Sequence, residues 1–523
     1  MIKSEVIVVG GGLSGLTVAA LLAHHGVRCI VIERHAATSI QYKFAGLSPR
    51  SMEIMRTLGL EEEIRAKRTG DQQGGGIGRA KTLADPNLQW NDAAWPDASP
   101  FGPCQPATCD QHVLEPILQA RAVALGAEVR FGTEFLSLEQ DAHGVRARVR
   151  SVATGAEEIV DAAFLIAADG AHGCIRRMLG IARHGAGSLQ SWMNIIFDTD
   201  LPQTLGGRRF TACFVTNINA TFTPRSGGRW LLSLQYSPEK GERPEDFDAT
   251  RVRDLVRRGS GNPEARAELV DAHAWDAAAY VAEHFDAGRC FLLGDAAHLM
   301  PPTGAFGGNS GIHDAHNLAW KIAHVLRRGA HPKLLDSFDL ERRPLIVATL
   351  GQALARLKRW FRDLAERIPE TDEPVPDYDV VFGQRYRAGA LLPEGGSNSA
   401  PFVAHMSLSG EPGTRAPHLH IMHAGRRVST LDLFDREFVL LATPGSGWRA
   451  SASVQLVEIE DLGAFGVTAL GAVLVRPDGI VAWRSKEMPT DPGAVLRGVI
   501  DSLGVVAHSS TRDIVVTHGR SAD

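Results

Sequence analysis

Gly10-Gly11-Gly12-Leu13-Ser14-Gly15 follows the apolar run Val6 to Val9 and opens a helix-like run, Leu16 to Ala23. A second apolar run, Arg28 to Ile32, ends at Glu33. Strand, glycine turn, helix and strand make the βαβ unit that binds dinucleotides. Gly10 permits the tight turn, Gly12 lets the backbone approach a pyrophosphate, and Gly15 allows helix to pack on strand. Leu13 and Ser14 lie in the first turn, where N–H groups and the helix dipole favour an anion. Glu33 and Arg34 close the unit. The Glu33 carboxylate can accept hydrogen bonds from adenosine ribose hydroxyls and would repel a 2′-phosphate, which disfavours NADP in this particular site.

Two later segments share the form of an apolar run ending in Gly and Asp. Phe164 to Ala167 leads into Ala168-Asp169-Gly170-Ala171-His172, and Cys290 to Leu293 leads into Gly294-Asp295-Ala296-Ala297-His298. A lone GxGxxG motif says little, but three such segments in this order point to a resident flavin. Asp169 ends a strand at the edge where open α/β sheets bind ligands, or serves only as a helix N-cap. Arg176 could serve a pyrophosphate or a second nucleotide. Asp295 can hold ribityl hydroxyls. Pro301-Pro302 stiffens the following loop. Gly304, Gly307 and Gly308 let backbone lie against a flat ring, and Asn309-Ser310 is expected to cap the long helix Ser310 to Arg328. That helix start would face the negative charge of a reduced flavin.

The remainder divides by pattern. Residues 1–180 and 289–395 read as one discontinuous FAD-binding domain. Residues 181–288 carry period-two stretches (Trp192 to Asp198, Phe210 to Val215, Trp230 to Tyr236) expected of an inserted antiparallel sheet. Residues 70–106 read as loops and short strands, and 372–413 as a linker rich in Pro and Gly. Residues 400–523 form a third domain, with strands expected at Phe438–Ala442, Val454–Ile459, Gly471–Arg476 and Ile480–Arg484 and a helix at Ala494–Leu503. Pro477-Asp478-Gly479 is the turn between the last two strands.

Composition bounds the function. The chain has 523 residues, 44% apolar and 22% charged, with a net charge of −5. That is ample for two or three soluble domains and gives no electrostatic case for nucleic acid or an anionic membrane. No apolar run approaches the ~20 residues of a membrane span. The chain enters its first strand almost at once, which leaves no room for a signal peptide. The six cysteines form no CxxC, and a reduced cytoplasm is expected. Nothing in the sequence excludes a homodimer.

Other residues carry two readings. Arg50 could reach a phosphate or be a surface arginine near a helix start. Gln111 could meet ribityl hydroxyls or be an ordinary first-turn residue. Trp192, Phe210, Phe222 and Trp230 could stack on an aromatic substrate or fill the core of the inserted domain. His298, His313 and His316, and the set His418, His420 and His423, lack the partners and spacing of a metal site, so none is assigned.

At these residues the chain resembles the class A flavoprotein monooxygenases, the single-component aromatic hydroxylases. The resemblance spans the chain and is densest in Gly10 to Gly15, Asp169 to Arg176 and Arg289 to Lys321, including Asp314-Ala315-His316-Asn317-Leu318-Ala319-Trp320-Lys321. Leu474-Val475-Arg476-Pro477-Asp478-Gly479 and Ala482-Trp483-Arg484 resemble the thioredoxin-like C-terminal domain of the phenol and polyketide hydroxylase branch. It implies a Rossmann-like FAD-binding domain of the hydroxybenzoate-hydroxylase type, an inserted antiparallel substrate sheet and a C-terminal α/β domain without redox exchange. It also implies a reaction. NADPH or NADH reduces FAD as a transient co-substrate, O2 adds at flavin C4a, and the hydroperoxide hydroxylates a phenolic or polyketide-like ring. Ring epoxidation or Baeyer–Villiger oxidation by the same species is the alternative. A flavin dehydrogenase or halogenase is another, although no isolated lysine fits a halogenase tunnel. Carried over residue by residue are Asp169 and Arg176 (FAD and pyridine nucleotide), Asp295 (ribityl), Pro302 (a backbone carbonyl near the peroxide) and Gly307 to Asn309 (the pyrimidine side). Gly173 stands where the family usually has serine.

Overall fold

The computed structural model describes residues 2–67, 76–91, 96–205, 208, 211–225, 228–361, 366–395, 400–451 and 453–505. Phe210 lies outside the described residues.

A six-stranded sheet organises the first part of the chain. Its order is Asp286–Ala287, Cys290–Leu292, Phe164–Ala167, Val6–Val9, Cys29–Ile32, Glu128–Arg130. All neighbours are parallel except the first pair. Val6–Val9 is buried along its whole length, as a central parallel strand covered on both faces should be. The helix Leu13–His24 is apolar almost all round and nearly fully buried, because it lies between the sheet and the long helix Phe306–Arg327. A smaller four-stranded sheet (Ile2–Lys3, Glu157–Ala162, Val145–Ser151, Thr133–Gln140) flanks it.

The inserted part supplies five strands of an eight-stranded sheet, and His298–Leu299 adds another at one edge. Its long strands Arg183–Thr199, Ala267–Ala282 and Arg229–Gln235 pair antiparallel. Alternation divides its faces. Met193, Ile195, Phe197, Phe222, Trp230 and Leu232 pack with Val252, Leu255 and Val256 of the helix Ala249–Ser260. That helix is capped by the Asp248 carboxylate, which accepts the Arg251 N–H at 2.8 Å, and it ends at Gly261 with φ +76°. The opposite face carries Trp192, Asn194, Ile196 and Ser233. The sheet also takes in strands Ile77–Ala80 and Gln89–Asn91. These two short strands, expected within 70–106, thus join the substrate sheet.

The C-terminal sheet has the order Val454–Glu458, Phe438–Ala442, Ala472–Val475, Val481–Ser485. The helix Pro492–Ser502 follows, its Asp491 carboxylate accepting the Ala494 N–H at 2.8 Å. One face of this sheet packs on Trp320 of the long helix and the other makes a second core around Phe434 and Phe465. All six cysteines are unpaired. Among the described residues no helix is long and apolar enough to cross a membrane.

Candidate active site

The three glycine–aspartate segments end three neighbouring parallel strands. Ala167 is in register with both Val9 and Leu292, so Gly10, Ala168-Asp169 and Gly294-Asp295 line one sheet edge side by side. Gly10 has φ +110°, and a Cβ there would lie 2.1 Å from the Ala168 carbonyl oxygen. A Cβ on Gly15 would lie 1.9 Å from the Gly10 oxygen. Cβ atoms on Gly294 and Gly311 would meet Ser14 Oγ at 2.4 and 2.3 Å. Ser14 is thus the point where the first helix, the third segment and the long helix touch. Beside Gly12, by contrast, a Cβ would meet only Glu115 Oε1 at 3.7 Å. Leu13 is buried in the core of the nucleotide domain.

Glu33 Oε2 accepts the Gly11 N–H at 2.7 Å, and Oε1 accepts the His35 N–H at 2.9 Å. The carboxylate thus braces the turn it faces. Arg34 is exposed beside it. Asp169 Oδ2 accepts the Ile175 N–H at 3.1 Å, which makes it a cap of the short helix Ile175–Met178. Its Oδ1 is buried with no hydrogen-bond partner, and desolvation raises its pKa. A Cβ on Gly173 would lie 2.1 Å from the Asp169 Cγ, so this glycine keeps room for the carboxylate. Arg176 Nη1 donates to the Ile181 carbonyl at 2.5 Å.

Asp295 is accessible, yet surrounding protein desolvates it enough to raise its pKa. A side chain both open and hemmed in is one that faces into a cleft. Asp314 sits behind it. Its Oδ2 accepts the Gly294 N–H at 3.1 Å and lies 2.7 Å from His298 Nε2, while Oδ1 accepts from Arg342 Nε at 2.8 Å. The long helix starts at Phe306, after Ala305 at φ +54°, so Asn309 and Ser310 do not cap it. Gly307 and Gly308 occupy the first turn, and the cap is a left-handed backbone turn without a side-chain acceptor. Asn309 instead accepts the Ser48 N–H at 2.9 Å and the Ser51 hydroxyl at 2.6 Å, and donates to the Gly46 and Ala305 carbonyls. Pro302 is exposed on the loop leading into this turn. The Phe44 ring covers Gly308, where a Cβ would meet it at 2.4 Å.

Arg50 needs correcting as a phosphate ligand. Its guanidinium donates to Glu53 Oε2 at 2.8 Å and to the Asp478 carbonyl at 2.6 Å, so it joins the nucleotide domain to the C-terminal turn. Gln111 donates to Glu115 Oε1 at 2.6 Å, which sets its amide beside Gly12. Phe222 and Trp230 need correcting as substrate contacts. Both are buried under the helix Ala249–Ser260, on the face turned away from the nucleotide domain. Trp192 does lie on the facing side, stacked on Trp275 with ring centroids 5.9 Å apart. His313 Nε2 lies 3.2 Å from Ser51 Oγ, and His418 Nδ1 lies 2.8 Å from Ser429 Oγ.

Sequence reading missed Lys43, Phe44, Glu115 and His273. The first two follow no motif, Glu115 reads as an ordinary helix glutamate, and His273 reads as one residue of an alternating strand. Lys43 is exposed, and its charge reaches Asp295, Glu115 and His273.

The site has the form of a flavin cradle. Space is kept above Gly12 and Gly170, an orphan carboxylate oxygen waits at Asp169, and an accessible carboxylate and a helix start meet at the third strand end. These features define a dinucleotide-binding α/β flavoenzyme. The comparisons with known proteins give the family. Residues 3–353 match an FAD binding domain, and residues 409–502 match the C-terminal domain of aromatic-ring hydroxylases. The chain is 36% identical to a tetracenomycin A2 monooxygenase-dioxygenase of Streptomyces glaucescens, over 95% of this chain and 96% of that one. It is 36% identical to an aklavinone 12-hydroxylase of Streptomyces purpurascens, over 95% and 98%. Its fold superposes on a ternary complex of aklavinone-11 hydroxylase with FAD and aklavinone at TM-score 0.88. There the sequences are 34% identical, and 96% of this chain and 99% of that one are covered. The chain belongs to the class A flavoprotein monooxygenases and is an FAD-dependent aromatic hydroxylase.

Proposed function

We infer that this enzyme uses NADPH or NADH, O2 and FAD to hydroxylate a phenolic or polyketide-like aromatic ring. The observation that supports this is the meeting of three motif-bearing strand ends below a sheet face that carries stacked tryptophans. Bound FAD supplies electron transfer from the nicotinamide and activation of O2. The chain supplies binding, orientation and exclusion of water. Gly10, Gly12, Leu13, Ser14 and Gly15 form the turn that receives the pyrophosphate, and Glu33 with Arg34 receives the adenosine end. Gln111, Asp169, Arg176, Gly294 and Asp295 surround the ribityl and phosphate path. Pro302, Gly307, Gly308 and Asn309 form the wall on the pyrimidine side, where the N-terminus of a 22-residue helix meets negative charge. Trp192 faces the substrate space. On this reading the chain divides into 1–180 with 289–395, 181–288 and 400–523, the middle sheet borrowing Ile77–Ala80 and Gln89–Asn91 at one edge and His298–Leu299 at the other.

The test is flavin content and coupled oxygen uptake. Purified protein should carry FAD, and NADPH or NADH oxidation should consume O2 faster when a hydroxylated polycyclic aromatic is added. Asp295→Ala should lower FAD occupancy. A well-folded colourless protein that takes up no FAD, or an Asp295→Ala variant with full occupancy and turnover, would refute the reading.

A further inference from the structure

The sheet face turned toward the nucleotide domain carries a polar row. Asn194 is directly opposite Ser233 on one neighbouring strand and His273 on the other, and Ser233 is opposite Thr221 on the next. Four consecutive strands thus place His273, Asn194, Ser233 and Thr221 in line on one face, all partly accessible. The Ser233 hydroxyl donates to Asn194 Oδ1 at 2.8 Å, which leaves the Asn194 amide N–H groups available. The row has apolar borders. Trp192 and Trp275 stack on one side, and Ile196 and Leu231 pack with Tyr42 on the other.

The Tyr42 contact matters because it pins the segment 42–44 above the row. Tyr42 rests on the substrate sheet, while Phe44 rests on Gly308 at the start of the long helix. Lys43 lies between these two anchors and is exposed, and its charge reaches His273. Among the described residues, neither the Lys43 nor the His273 side chain makes a hydrogen bond. A cation and an imidazole without partners, on opposite walls of a cleft bordered by tryptophans, suit a planar aromatic bearing an acidic hydroxyl.

We propose that His273 and Lys43 together take a phenolic hydroxyl of the substrate as its phenolate, with Asn194 orienting the oxygen. The O–H bond breaks, the proton forms an N–H bond at a free nitrogen of the His273 ring, and the oxygen keeps the electron pair. The resulting negative charge faces the Lys43 ammonium. A phenolate directs electron density to its ortho and para carbons, which is what an electrophilic oxygen donor requires. Burial keeps the His273 imidazole neutral and open to a proton, though as a weaker base, so the proton is held there only while the phenolate charge faces it. Lys43 and His172 push its pKa down in the same direction, and only Asp271 opposes them. This inference rests on the aromatic-substrate reading above, and its test separates the two.

The probe is alizarin, a dihydroxyanthraquinone whose phenol and phenolate differ in colour, added to the FAD-loaded protein. Saturation is followed by quenching of tryptophan fluorescence and ionisation by the difference spectrum. At a pH about one unit below the dye's own pKa, the wild-type complex should show mainly phenolate, a shift of about tenfold or more in the ratio of ionised to neutral dye. Lys43→Met should return the bound dye to its solution pKa, and Lys43→Arg should keep the shift. His273→Gln should bind the dye mainly as the neutral phenol at that pH. A residue of purely structural importance would change the affinity without changing the colour at saturation. Neutral phenol in the wild-type complex, or phenolate undiminished in either Lys43→Met or His273→Gln, overturns the proposal and leaves the hydroxylase reading standing. An FAD-loaded protein that binds no hydroxylated aromatic overturns both.

Discussion

Single atoms decide much at the strand ends. Gly10 has no room for a methyl group against the Ala168 carbonyl and adopts a φ of +110°, a conformation L side chains rarely hold. Gly10→Ala should therefore push the first segment away from the second. The expected result is loss of most bound flavin, read as the ratio of visible to ultraviolet absorbance, together with a lower melting temperature. Asp314 acts on the third segment from behind. It is fully buried and shared among the Gly294 N–H, His298 and Arg342. Burial would raise its pKa, but Arg342 and His298 outweigh that and hold it well below the usual carboxylate range. Asp314→Asn would leave the Arg342 guanidinium buried without its counter-charge. Breaking one member of such a pair costs about 3–5 kcal/mol. Chemical denaturation should show a loss of that order, and FAD occupancy should fall with it because Gly294 loses its anchor.

At the scale of elements, one buried network ties the long helix to the C-terminal hairpin. Glu341 accepts from Lys321 Nζ at 2.8 Å, from Asn317 Nδ2 at 2.6 Å and from both amino groups of Arg476, at 2.7 and 2.9 Å. Arg476 also holds Asp478, two residues on. Asn317 and Lys321 lie on the helix whose first turn faces the cleft, so the C-terminal domain holds that helix through residues beyond its first turn. Trp320 adds packing against Phe438, with ring centroids 5.5 Å apart. Arg476→Met should destabilise the protein by about 3–5 kcal/mol and weaken FAD retention. Glu341→Gln should do the same. The double variant should lose less than the sum, because the two residues share one network; denaturation curves of the four proteins measure this. The sequence placed both motifs correctly on a helix and a turn. It did not show that they meet, since 155 positions separate Lys321 from Arg476 and Glu341 belongs to no motif.

For the molecule as a whole, the C-terminal domain docks partly through one histidine kept neutral. His324 is 2% exposed, and its Nε2 lies 3.0 Å from the Arg436 carbonyl. Burial lowers its pKa to about 4 from an ordinary 6.5. The unfolded chain therefore binds the extra proton between these values, and stability must fall as pH drops through that window. Glu341, held down to about 2 by Arg476 and Lys321 against the effect of burial, adds a further loss below its ordinary 4.5. Melting temperature should be nearly level above pH 7 and decline from about pH 6.5 to 4. His324→Gln should make that decline shallower.

What the sequence alone determined was local and periodic: the strand–turn–helix units with their glycines, the acid at the end of the second strand, the alternating inserted strands, the turn at Pro477-Asp478-Gly479. Each depends on residues close together in the chain, where steric limits and hydrogen-bonding range are short. Tertiary structure decided which side chains meet. It turned Phe222 and Trp230 into core by placing a helix over their face, spent Arg50 on Glu53 and the Asp478 carbonyl, and started the long helix at Phe306 ahead of Asn309. It also set Lys43 across from His273. The physical reason is that a side chain's role is fixed by its partners in space, and packing brings those partners from segments whose separation along the chain carries no signal.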